Sequence, residues 1–164
     1  MFHRDWYLQG AAISDVTSLK GAPISRLNVG RTTVSDLAPL RGMALKELRC
    51  FNTKVADLSP FQGMPLEHLQ LSGSPVTDLT PLRGMGLITL ALHNCPQITD
   101  LTPLAEAKAL TSLTLPPNAK DIEFLRTFPK LERLGTQDAK TGGGQPGQPG
   151  QPVAEFWKEW DAKK

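Results

Sequence analysis

Four aspartates, Asp36, Asp57, Asp78 and Asp100, recur at nearly constant spacing, and carboxylates in register could serve general acid–base or metal chemistry. Each of them, however, opens the same phrase: "DLAPL", "DLSPF", "DLTPL" and "DLTPL". An acid–base pair needs two carboxylates in unlike environments. A carboxylate that returns at the start of every turn is a cap for that turn. The row is therefore structural. Cys50 stands where other copies of the phrase carry Leu or Val, which makes it a core residue, and Cys95 falls in a column of Thr and Ser. The two cysteines lie two coils apart, ~10 Å at strand spacing, too far for a disulfide. His68 and His93 are offset by four residues along the strand direction, ~13 Å, so they cannot share a metal. His3 lies at the N-terminal end. With no carboxylate pair, glycine-rich phosphate loop or nucleophile–histidine pairing apparent, the sequence predicts no enzyme, no cofactor and no metal site.

The elements that position these residues are six copies of one coil. Taking Ile24, Leu45 and Leu66 as first positions, 21 residues apart, the copies "ISRLNVGRTTVSDLAPLRGMA", "LKELRCFNTKVADLSPFQGMP" and "LEHLQLSGSPVTDLTPLRGMG" align without gaps. A further copy precedes them at 3–23, and two follow at 87–109, with two extra residues, and 110–130. A seventh begins at Leu131 and dissolves. Leu at positions four and six alternates as in a strand. Pro39, Pro60, Pro81 and Pro103 follow Ala, Ser, Thr and Thr, the order of an N-cap and then Pro at the first helical position. Gly42, Gly63 and Gly84, three residues later, suit a left-handed stop. Each unit is thus a strand, a bend, one 3₁₀-like turn and a tight return. One unit cannot bury its own apolar edge, so the units must stack into a solenoid.

The L-x-x-L-x-L run in these copies resembles that of leucine-rich repeats, and the "D-L-x-P-L" half is similar to the short, bacterial, internalin-like class. The resemblance implies an α/β solenoid: a right-handed coil with a parallel concave β-sheet and a convex side of 3₁₀ turns and loops. The usual Asn at position nine is replaced by Thr32, Thr53, Ser74 and Cys95, with Asn118 in the sixth copy and Ala11 in the first. Small hydrogen-bonding groups still suit a ladder there, and Ala11 breaks it.

The solenoid is expected over residues 3–139, followed by a Gly/Pro/Gln linker at 140–152 and an aromatic tail at 153–164. In the tail, Phe156, Trp157 and Trp160 have helix-compatible spacing. Two uses of it stand open, a helix folded back over the last coil or a tethered peptide that docks on another chain. At the other end the first coil starts at once, so either Trp6 and Tyr7 cover it locally or the chain was cut from something longer; the second is the expectation. The resemblance extends to arrays that follow a kinase-like domain in bacterial proteins, which would make this one a regulatory spacer. Self-association through the uncapped end is a further expectation.

Bulk properties remove several classes. A formal net charge of +2 on 164 residues gives no general pull toward nucleic acid or anionic lipid. No apolar run reaches the length of a membrane span, the N-terminus has no signal-peptide core, and there is no N-x-S/T sequon; a cytoplasmic protein is expected. What remains is the concave face, where positions three, five and seven of each strand are predicted to point outward. Tyr7, Arg26, Arg49 and Phe51, joined by Arg31 and His68, form its mixed aromatic and basic part, and Tyr and Arg are frequent anchors of protein interfaces. The reading is a non-enzymatic scaffold that binds a protein or peptide there. The alternative is a spacer whose aromatic tail makes the contact.

Overall fold

Apolar columns returning every 21 residues require each coil to lie in register on the last, and the computed structural model, which describes residues 5–138 and 149–163, has that arrangement. Strands β1 (Asp5–Tyr7), β2 (Arg26–Asn28), β3 (Glu47–Arg49), β4 (His68–Gln70), β5 (Thr89–Ala91), β6 (Ser112–Thr114) and β7 (Arg133–Asp138) form one parallel sheet in sequence order. Their middle residues pair as Trp6, Leu27, Leu48, Leu69, Leu90, Leu113 and Leu134. From Leu27 onward every member of that column is buried. The opposite side carries 3₁₀ turns at Thr17–Leu19, Ala38–Leu40, Ser59–Phe61, Thr80–Leu82 and Thr102–Leu104, and a longer one at Ile122–Thr127. Leu40, Phe61, Leu82 and Leu104 from these turns fill the space behind the sheet. Among the described residues no helix is long and apolar enough to cross a membrane.

The aspartates cap the turns as expected, but the N-cap itself falls one position earlier than assigned, on Leu37, Leu58, Leu79 and Leu101. Asp36, Asp57, Asp78 and Asp100 each accept the backbone N–H two residues on, at 2.7–2.8 Å, and Asp15 does the same in the first coil. Ala38, Ser59, Thr80 and Thr102 are then the first residues of the turns rather than their caps, because an Asp side chain two residues back already satisfies the free N–H. The hydroxyl and backbone N–H of the following Thr or Ser hold Asp15, Asp57, Asp78 and Asp100 below their ordinary pKa of 3.8. A carboxyl depressed in the folded state contributes stability above its unfolded pKa and loses it as pH falls through the folded value. We expect the urea midpoint to drop as pH falls below about 4. A chain carrying Asp57→Asn and Asp78→Asn, which keeps an acceptor without the charge, should drop less between pH 7 and pH 3.

The ladder at position nine is also present. Thr32 Oγ1 donates to the Val29 carbonyl and Thr53 Oγ1 to that of Cys50, both at 2.6 Å. Ser74 Oγ reaches back to the Cys50 carbonyl at 2.8 Å, and Cys95 Sγ to the Leu71 carbonyl at 3.3 Å. All four side chains are buried, so each bond satisfies a carbonyl that water cannot reach.

At the C-terminal end the structure departs from the linker expectation. The partial seventh copy, from Leu131, carries β7, which runs for six residues to Asp138. The last four linker residues, Pro149–Pro152, form β8, antiparallel to β7. The approach is close because both strands carry glycine. A Cβ on Gly135 would lie 2.7 Å from the Gly150 Cα, and Gly150 itself has φ +76°. Arg133 Nη2 donates to the Gly150 carbonyl. Helix α1 (Val153–Asp161) follows directly, with Phe156 and Trp157 buried in the core. The rest of the linker lies outside the described residues.

Candidate functional site

Position eight of the first five coils, just past the strand, takes a left-handed backbone: Gly10, Arg31, Asn52, Gly73 and Asn94 all have φ between +51° and +71°, whereas the sixth coil has Pro117 there. Glycine and asparagine adopt this conformation readily, and arginine does not. Arg31, at φ +57°, is the exception in its column. Its guanidinium carbon lies 5.9 Å from the centroid of the Phe51 ring, within cation–π range. Phe51 in turn lies against Gly30; a Cβ there would meet the ring at 2.4 Å. Glycine at 30, an aromatic ring at 51 and a strained arginine at 31 therefore form one layered patch. Replacing Arg31 with Asn should stabilise the fold by about 0.5–1 kcal/mol by relieving the strain. Urea unfolding of the R31N chain measures this directly.

The other predicted contact residues fall into three groups. Arg26 sits between Asp5 and Glu47, 3.7 Å from each carboxylate, and Arg49 Nε donates to Glu47 at 2.5 Å. These exposed or half-exposed pairs add little stability, but they fix where the guanidinium groups lie. Tyr7 is 63% exposed at the sheet's first strand. His68 pairs in register with Glu47, yet its Nδ1 is hydrogen-bonded to Thr89 Oγ1 at 2.9 Å, so it is tied to the next coil rather than to the arginines. The contacts thus link Arg26 with Arg49 through Glu47, and Arg31 with Phe51, while Tyr7 lies on the neighbouring first strand and His68 is tied to the next coil.

Not every concave position points into solvent, contrary to expectation. Asn28 is buried: its amide donates to Gln9 and its carbonyl oxygen accepts from the Gly30 N–H. Ser72 is buried beside His93, whose Nδ1 lies 2.7 Å from its hydroxyl. Ala91, Ser112 and Thr114 are buried too, at the end of the face where β8 lies close to β6. The open part of the face is its first half.

Other candidate chemistry is dispersed. Cys50 and Cys95 are free and buried, and desolvation pushes both thiols up, away from the thiolate form a nucleophile needs. His68 and His93 engage different hydroxyls, and His3 lies outside the described residues. Among the described residues, no three His, Cys, Asp or Glu side chains converge as a metal site would require. The tail residues Phe156, Trp157 and Trp160 pack on one another with ring centroids 5.2–6.4 Å apart. Arg126, on the last 3₁₀ turn, lies 3.9 Å over the Trp157 ring and pairs with Asp161. Leu125, Phe128 and Leu131 line the remaining gap beneath the helix.

Neither protein-family models nor curated proteins match the chain. Solved structures do. Internalin InlF of Listeria monocytogenes superposes with a TM-score of 0.73 at 23% identity, over 80% of this chain and 40% of its own. Internalin C2 of the same organism superposes with a TM-score of 0.58 at 24% identity, over 75% of this chain and 66% of its own. The chain thus spans less than two thirds of either internalin. At that identity the likeness concerns the fold, and it agrees with the register, the 3₁₀ turns and the position-nine ladder described above. In its fold this chain is a leucine-rich repeat solenoid similar to the internalins.

Proposed function

We propose that this chain is a non-enzymatic binding module that holds a protein or peptide on the first half of its concave face. The observation that carries this reading is Arg31. A residue kept in a backbone conformation that costs it free energy, where every other left-handed position of its column carries glycine or asparagine, is retained for what its side chain does. Here the side chain is laid on an aromatic ring, and Arg26, Arg49 and an exposed tyrosine are carried by the strands of the same first three coils. Tyrosine and arginine anchors on a rigid sheet lose little conformational freedom on binding. The burial of Phe156 and Trp157 favours this face over the aromatic tail as the contact surface, since a docking tail would first have to leave the core.

The test is a photo-crosslinking amino acid placed at Phe51 and, separately, at Lys158 on the exposed side of α1, followed by alanine substitution at Arg49 and Arg31 in the chain that captures a partner. Capture from position 51 that falls at least tenfold in the alanine chains supports the concave face. Capture from position 158 alone, unaffected by those substitutions, would shift the assignment to the tail.

A further inference from the structure

We infer that the occupant of this face is a protein segment that presents a carboxylate, from Asp or Glu, beside an apolar side chain. The carboxylate meets Arg31 and the apolar group meets the open part of the Phe51 ring. The inference rests on the concave-face reading above and adds the chemistry of what is bound.

The neighbouring cations are answered from within the chain. Arg26 sits between Asp5 and Glu47, Arg49 pairs with Glu47, and Lys46 pairs with Glu67. Arg31 is not answered. It is exposed and pairs with no carboxylate among the described residues; the Phe51 ring, 5.9 Å from its guanidinium carbon, is what it lies beside. A ring contact orients a guanidinium without using its N–H fork, which stays available for a planar, two-oxygen acceptor. The strain at position 31 then has a purpose. Asparagine, used elsewhere in the same column, would relieve the backbone and remove the cation.

The groups around Arg31 decide which kind of acid fits. Its N–H donates to the Phe51 carbonyl at 2.9 Å, so the two residues are held together by main chain as well as by the ring contact. Phe51 is half-buried, with one side against Gly30 and the rest of the ring open. Asn52 follows it, exposed, and its side-chain amide makes no hydrogen bond among the described residues. Lys54, two residues on, is exposed and has no ion pair among the described residues. A cation, an open ring and a free amide therefore follow one another across two coils. They call for a carboxylate, an apolar side chain and a main-chain amide, and a protein segment carries all three. Inorganic phosphate would satisfy the cation alone and leave the ring and the amide unused. A basic segment would bring like charge against Arg31 and Lys54.

Arg31→Asn is the decisive variant, because it removes the cation from a chain expected to gain stability, so lost binding cannot come from unfolding. Random linear peptides displayed on phage are selected on the full chain. The recovered peptides are then synthesised with their Asp or Glu intact and with it changed to Asn or Gln. We expect an acid next to an apolar residue, binding about tenfold or more weaker once the acid is changed, and no difference between the two forms on R31N. Peptides that lose binding on Phe51→Ala yet bind equally well in acid and amide forms overturn this inference and leave the concave-face reading standing. Peptides that bind R31N and F51A as well as the parent chain overturn both. A phosphoserine form that binds more than about tenfold tighter than the acid form assigns the site to phosphate instead and overturns the inference; so does recovery of no peptide. Should F51A alter the circular dichroism, the R31N comparison decides alone.

Discussion

Leu69→Ala lowers the unfolding free energy by about 2–5 kcal/mol, the range for a fully buried leucine whose cavity cannot collapse. Each coil supplies one core side chain from the middle of its three-residue strand, and Leu69 lies between Leu48 and Leu90 with no exposure. The neighbouring coils cannot move in to fill the gap. Their spacing is set by main-chain bonds on both sides, such as Cys50 N–H to the Gln70 carbonyl and Leu71 N–H to the Ala91 carbonyl. In a stacked array, stability is close to a sum of coil and interface terms, so a defect at the centre weakens two interfaces at once. Urea unfolding followed by circular dichroism should show either a much lower midpoint or separate transitions for the two halves. A loss under about 1 kcal/mol with one sharp transition would contradict the continuous core.

Trp157→Ala removes about 3 kcal/mol or more, and its effect is local. Trp157 is 8% exposed, meets Phe156 edge-on at 5.2 Å and lies under Arg126, which is itself tied to Asp161. Truncation therefore strips a ring from the core, an aromatic pair and a cation–π contact. Hydrogen exchange should lose protection in β7 and in the 3₁₀ turn at Ile122–Thr127, while β2 and β3 keep theirs. Uniform loss across all coils would mean that the helix holds the whole array rather than its last coil.

The features legible in the sequence are those that each coil specifies for itself and then repeats. Leu48, Leu69 and Leu90 could be placed in the core because the same residue type returns at one register. Asp57 and Asp78 could be separated from catalytic carboxylates for the same reason. The Thr53–Ser74–Cys95 ladder followed from its column. Arg31 was available too: Gly10, Asn52, Gly73 and Asn94 share its column, and an arginine among glycines and asparagines marks a backbone conformation it does not prefer. Reading that column would have identified the patch more sharply than residue type alone did.

The C-terminal end was decided by tertiary structure. "PGQP" has neither apolar alternation nor a helical period, and it forms a strand only because Gly135 and Gly150 let two backbones meet where any side chain would collide. Whether Phe156 and Trp157 dock in place or reach outward depends on the open core they find over Leu125, Phe128 and Leu131. The closure of the concave face around Ala91, Ser112 and Thr114 likewise belongs to the assembled sheet, since small side chains there carry no signal of their own. Repetition makes a solenoid's interior readable, because every coil has the same neighbour. After the last coil β8 and α1 take that neighbour's place, and their position is settled by packing between segments far apart in the chain.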